Sequence, residues 1–156
     1  MTTRRRFLFL AGGAAVSAAA QAQLPANIEA LRKAALAEAV RKVTGGAPVR
    51  AGRVKIEMPP LIDNGNTVPL SVEVESPMTQ AEHVKSIHVF TEKNPQPWVI
   101  SARLGPRAGR ARIATRARIA DSGTVLAIAQ MSDGSFWSGS ISVVVTLSAC
   151  LEDGLI

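Results

Sequence analysis

The chain is 156 residues long, 47% hydrophobic but only 4% aromatic, with 18 Lys and Arg against 12 Asp and Glu and a single cysteine. Arg4, Arg5 and Arg6 stand in a leader expected to be removed, which leaves 15 against 12, a net charge of +3. That balance is ordinary for a soluble domain and argues against a nucleic-acid binder, which would need a concentrated basic patch with interleaved aromatics.

The leader comes first. Thr3-Arg4-Arg5-Arg6-Phe7-Leu8-Phe9 sets paired arginines before an apolar stretch, and Leu10 to Ala20 continues as a weakly polar run of Ala, Gly, Val and Ser. This reads as a twin-arginine signal peptide over residues 1–22, with Arg4 and Arg5 as the export signal. The run is too short to span a bilayer as a membrane anchor. It ends in Ala18-Ala19-Ala20 and Ala20-Gln21-Ala22, so cleavage is expected after Ala20 or Ala22, with no membrane attachment afterwards. The mature protein is expected in the periplasm. Twin-arginine export generally carries folded proteins, which hints at a cofactor or partner acquired before export.

Residues 23–46 form an N-terminal helical segment. Asn27 is the expected cap of a helix from Ile28 to Val43, in which Ile28, Leu31, Ala35, Leu36, Ala39, Val40 and Val43 recur at helical spacing. Glu29 with Lys33, and Glu38 with Arg41 and Lys42, support its solvent side. Thr44-Gly45-Gly46 ends it.

From residue 47 to 147 the period changes from 3.6 to 2. Val54, Ile56 and Met58 alternate with Arg53, Lys55 and Glu57 until Pro59-Pro60, and the turn Asp63-Asn64-Gly65-Asn66 opens a second strand, Val68 to Val74. Pro69 suggests that this strand lies at a sheet edge. Further strands are expected at Val84 to Thr91, Trp98 to Leu104, Arg110 to Ile119, Thr124 to Met131 and Phe136 to Leu147. Seven short strands with turn signals about every ten residues point to a mainly β chain, an immunoglobulin-like β-sandwich with an N-terminal helix.

Residues that carry chemistry are sparse. His83 and His88 are placed on opposite faces of an extended segment, so no metal site is visible, and no phosphate loop, nucleophile elbow or isolated carboxylate pair is present. No cofactor is expected. Arg110, Arg112, Arg116 and Arg118 share one face of the fifth strand, opposite Ala111, Ile113, Thr115, Ala117 and Ile119. That stripe is either the wet face of an amphipathic strand or a surface for an anion or an acidic protein. Cys150 lies beyond the last strand, in a tail of residues 148–156. In an oxidising compartment a lone thiol is buried as a small hydrophobe, reacts with a small molecule, or pairs with another chain.

Several segments together give a more specific reading. The twin-arginine leader, the N-terminal helix, Thr91-Glu92-Lys93-Asn94-Pro95-Gln96-Pro97, Gly105-Pro106-Arg107-Ala108-Gly109-Arg110-Ala111, Met131-Ser132-Asp133-Gly134-Ser135-Phe136 and Val145-Thr146-Leu147 before a cysteine resemble the SoxY family. These are the sulfur-carrier subunits of the bacterial Sox thiosulfate-oxidation system. The resemblance implies an immunoglobulin-like sandwich and a heterodimer with a smaller SoxZ subunit. It also implies that Cys150 covalently holds sulfur intermediates and presents them to Sox enzymes, with catalysis done elsewhere.

The tail departs from the family pattern. Where the family ends in Gly-Gly-Cys-Gly-Gly, Cys150 here follows Ser148-Ala149 and precedes Leu151-Glu152-Asp153-Gly154-Leu155-Ile156. Glycines give a carrier arm conformational freedom and little bulk, whereas Leu151 is wide and two carboxylates beside the thiol disfavour its thiolate and repel an anionic thiosulfate. The alternative is therefore a SoxY-like binding or structural subunit whose cysteine is buried or forms an interchain disulfide.

Overall fold

The structure, a computed structural model, describes residues 23–147, with side chains from Ile28 onward. Two compact units divide the chain, Met1–Leu31 and Arg32–Ile156. The first is described only through the opening turns of helix α1, which spans Gln23–Thr44. The helix thus begins before the expected Asn27 cap. Pro25 does not prevent this, because the first-turn N–H that proline lacks has no partner within a helix anyway. At the other end Gly45 adopts φ +62° and donates its N–H to the Arg41 carbonyl at 2.8 Å, a left-handed cap of the expected kind.

Among the described residues nine strands follow: β1 Val49–Ala51, β2 Val54–Glu57, β3 Leu61–Ile62, β4 Val68–Val74, β5 Val84–Thr91, β6 Trp98–Arg103, β7 Arg112–Ala117, β8 Gly123–Met131 and β9 Phe136–Val145. The seven expected strands are all present, with ends shifted by one or two residues. β1 and β3 are additional. Each is a two- or three-residue segment pairing parallel to β9, too short to display alternation in the sequence. Six strands make the larger sheet, in the order β1-β9-β8-β5-β6 with β3 also on β9, and β2-β4-β7 make the smaller. The result is an immunoglobulin-like sandwich, as expected.

Strict alternation in β4 explains the core. Val68, Leu70, Val72 and Val74 are all almost completely buried, each contributing about 2 kcal/mol by leaving water. They meet Ile87, Val89, Val125, Ala127, Ala129, Met131, Val143 and Val145 from the larger sheet. A second cluster lies on that sheet's outer face, where Leu36, Ala39, Val40 and Val43 of α1 pack with Phe90, Ile128 and Phe136. Helical spacing starting at Ile28 overstated this face: Ile28 and Leu31 are exposed, and burial begins at Leu36. Glu38 and Lys42 pair at 3.0 Å on the solvent side.

Pro69 corrects a second expectation. β4 is the central strand of its sheet and not an edge. The Val74 N–H bonds to Ala111 of the neighbouring strand and the Glu75 N–H to Arg53 on the other side, so odd-numbered residues of β4 aim towards β2. Pairing with β2 stops at Glu57 opposite Ser71, so the N–H that Pro69 lacks would face a stretch with no ladder to join.

Candidate functional site

Cys150, Arg4 and Arg5 lie outside the described residues. What can be built is the root from which the cysteine tail leaves. β9 ends at Val145, and the next two residues are held by hydrogen bonds. The Thr146 N–H donates to the Ile62 carbonyl at 2.9 Å and its hydroxyl to the Asp63 carbonyl at 3.1 Å, while the Gly65 N–H donates to the Leu147 carbonyl at 3.0 Å. The Val145 N–H donates to the Ser122 hydroxyl at 2.8 Å. Two connecting segments therefore fix the chain up to Leu147, three residues before Cys150. The root is apolar on its outside. Leu61 and Val144, register partners, and Leu147 are all more than half exposed.

Sequence reasoning took Asp63-Asn64-Gly65-Asn66 only as a turn. It is also the hub of this end of the sandwich, because the Gly65 carbonyl accepts the Ile119 N–H at 2.8 Å while its N–H holds Leu147. Asn64 stabilises the turn by accepting the Asn66 N–H at 2.9 Å. The signal available in the sequence was the Asn-Gly pair; its long-range partners were not written there.

The arginine stripe is where the alternation put it. Arg112 and Arg116 face outward on β7, Arg110 and Arg118 flank the strand, and Ala111, Ala117 and Ile119 are buried beneath them. These four arginines do not share one environment. Arg112 donates to the Ser71 hydroxyl at 3.0 Å and lies 3.8 Å from Glu57. Glu57 in turn binds Lys55 at 2.8 Å, and that hydrogen bond, followed by the Lys55 charge and then Arg112, holds its carboxyl below the usual range. Arg116 stands across from Pro69. The Arg118 carbonyl accepts a hydrogen bond from Asn94 at 2.9 Å.

Two of the segments that carried the family resemblance are connecting loops that tie distant parts of the chain together. Asn94 of the Glu-Lys-Asn-Pro loop donates to Arg118 and accepts the Ala120 N–H at 2.7 Å, clamping the β5–β6 loop to the chain leaving β7. In Met-Ser-Asp-Gly-Ser-Phe, Asp133 accepts the Ser135 N–H at 2.8 Å and Gly134 takes φ +85°, closing the β8–β9 hairpin. The hydrogen bonds from Ser135 depress the Asp133 carboxyl. Ser132 ties this hairpin to the β4–β5 connection by accepting the His83 N–H at 3.1 Å.

The two histidines are apart. His83 precedes β5 and its Nδ1 lies 3.1 Å from the Thr79 carbonyl. His88 lies within β5, Nδ1 at 2.8 Å from the Ser101 hydroxyl and Nε2 at 3.0 Å from that of Ser86, with its ring perpendicular to that of Trp98. Burial, and then the nearby Arg103, lower its pKa from 6.5. Among the described residues no group of three His, Cys, Asp or Glu side chains is arranged to hold a metal, and no helix is long and apolar enough to cross a membrane.

Fold and root together define a class: an immunoglobulin-like sandwich whose last strand is pinned at its end and continues into a cysteine-bearing tail. The family model for the sulfur oxidation protein SoxY matches residues 40–150, and the chain belongs to that family of sulfur carriers. Among solved structures it is similar to the sulfur carrier protein SoxY from Chlorobium limicola f thiosulfatophilum, at 25% identity over 74% of this chain and 99% of that one, with a TM-score of 0.62. The superoxide reductase (neelaredoxin) from Ignicoccus hospitalis, 18% identical over 60% of this chain and 80% of its own, gives 0.54. That from Nanoarchaeum equitans, 12% identical over 62% of this chain and 100% of its own, gives 0.52. These two likenesses show the fold alone. No curated protein sequence matches the chain.

Proposed function

We propose that the mature chain is a periplasmic sulfur carrier exported by the twin-arginine pathway. Cys150 holds thiosulfate-derived sulfur covalently and offers it to the enzymes of the Sox system, and a SoxZ-like subunit completes a heterodimer. The chain itself carries the intermediate and does no catalysis. The observation that supports this reading most is that the family match runs to residue 150 and so ends on the cysteine. The pinned root is compatible with it. Three residues beyond Leu147 reach at most about 10 Å, so a thiol there is offered from a fixed point. Joining a thiol to the outer sulfur of thiosulfate makes an S–S bond, releases the thiol proton and gives up two electrons, which an oxidising partner enzyme has to accept.

The test is mass spectrometry of protein from cells grown on reduced sulfur. Sulfane or thiosulfate-derived additions, removable by reductant and absent from Cys150→Ser, are expected, together with ready alkylation of the native thiol. A thiol that resists alkylation and carries no adduct would favour the second reading, a non-carrying SoxY-like subunit. Leu151, Glu152 and Asp153 beside the thiol are the feature that speaks for that alternative. Export is tested separately: Arg4→Lys with Arg5→Lys is expected to leave unprocessed precursor in the cytoplasm.

A further inference from the structure

Among the described residues, β7 is the last strand of the smaller sheet and has β4 on one side alone. The bond from the Val74 N–H to Ala111, followed by the register Val72 to Ile113, Leu70 to Thr115 and Val68 to Ala117, turns the main-chain groups of odd-numbered β7 residues towards β4. Those of Arg112, Ala114 and Arg116 point the other way. The window is bounded at its far end, because Asn94 already occupies the Arg118 carbonyl. Beside it runs a groove lined by Trp98, Val99 and Ile100 of β6 and by Thr115, Arg116 and Ala117 of β7. Val99 and Ile100 are only partly buried there.

Charge selects the occupant. On the outer face of this sheet Lys55, Glu73 and Arg112 lie in one cross-strand row, and Glu57 binds Lys55 and approaches Arg112. The acids of β2 and β4 therefore balance Lys55 and Arg112. Towards the other end of β7, Arg116 faces Pro69, which offers no charge. The positive excess lies on the open strand, where like charges opposite one another repel and carboxylates are attracted.

We propose that the β7 edge from Arg112 to Arg116 is the docking surface for an extended strand of the SoxZ-like partner, one with carboxylates on its outward side and apolar residues on its inward side. This rests on the heterodimer reading above. The partner strand completes the main-chain hydrogen bonds of Arg112, Ala114 and Arg116. An outward acid meets the Arg116 guanidinium, which faces Pro69 within its own sheet, and its inward side chains cover the groove beside Ile100.

The experiment uses the mature chain with purified SoxZ subunit and reads affinity by titration calorimetry and amide exchange by mass spectrometry. On complex formation the amides of Arg112, Ala114 and Arg116 are expected to become protected. Arg116→Glu is expected to weaken binding about tenfold or more, and the loss should shrink with added salt. Ala114→Pro removes an N–H on the open side while the bonds of Ile113 and Thr115 to β4 remain, and it is expected to weaken binding by a similar factor. Should Ala114→Pro fold poorly, the exchange measurement on the unaltered chain decides alone. A complex that forms without protecting these three amides, or with unchanged affinity for Arg116→Glu, overturns the edge and leaves the heterodimer standing. Absence of any complex overturns both, and Cys150 adducts judge the carrier reading independently.

Discussion

On one side of the sandwich, the second edge of β9 is paired at both ends. β1 pairs with Phe136 to Ser138, β3 pairs with Val144 and Val145, and Val54 of β2 packs over the face of Gly139. On the opposite side, β6 and β7 end their sheets with nothing paired beyond them among the described residues. The first arrangement spends main-chain hydrogen bonds within the chain, and the second leaves them without a ladder partner among the described residues. The tail root lies at the end of the sandwich where Gly65 ties Leu147 to Ile119, two residues beyond β7.

The comparison is broken most severely at Gly139. A side chain there would meet the Val54 main chain, which has no rotamer into which to retreat. Gly139→Ala is expected to cost about 3 kcal/mol in urea denaturation, the upper end for overpacking a filled site. A cost near zero would show that β2 does not close this side.

Asn94 ranks second. It joins the loop before β6 to the chain leaving β7 through two hydrogen bonds, to Arg118 and Ala120. Asn94→Ala is expected to lose about 2 kcal/mol, read the same way. Because this clamp bounds the β7 window, amide exchange at Ala120 should rise in the variant while Ile113, paired with Val72 of β4, stays slow.

Third comes the root itself. Thr146→Val keeps shape and removes the hydroxyl that donates to Asp63. The expected loss is about 1 kcal/mol, with faster amide exchange at Gly65, whose N–H holds the neighbouring Leu147 carbonyl. A root that stays rigid without the hydroxyl would mean that Ser122 and the parallel pairing of β3 suffice.

Much of this architecture was legible because alternation is a local code. Val68 to Val74 announces its buried face residue by residue, and Arg112 and Arg116 announce theirs. What was not legible depends on partners far along the chain. Leu61–Ile62 is a strand only because β9 runs beside it. Pro69 marks an edge only in the sense that β2 stops short of it, which no feature of Pro69 itself reveals. Gly65 advertised a turn, but its bonds to Ile119 and Leu147 bring together segments 54 and 82 residues away in sequence. Two loops of the family resemblance show the same thing: Asn94 is tied to Arg118 and Ala120 and Ser132 to His83, so these loop sequences report contacts that alternation cannot encode.

The smallest expected effect lies beside the open edge, at His88. Its ring sits between the hydroxyls of Ser86 and Ser101, Ser101 also accepts the Trp98 indole N–H at 2.5 Å, and Ser86 reaches Gln130 at 3.5 Å. A neutral imidazole fits this chain of donors and acceptors, and burial together with Arg103 opposes the charged form. Since the folded pKa lies below 6.5, the unfolded chain binds more protons than the folded one as pH falls beneath that value. The contribution of His88 is therefore fully present above pH 6.5 and is lost as pH drops through its lowered folded pKa. Urea midpoints measured downwards from pH 7 should decline over this window, before Glu57 and Asp133 begin to protonate, and His88→Asn should remove that part of the decline. An identical slope in the variant would mean that the open side tolerates a charged imidazole. In that case the hydroxyls of Ser86 and Ser101, which can accept from both ring nitrogens, solvate the imidazolium as well as water does.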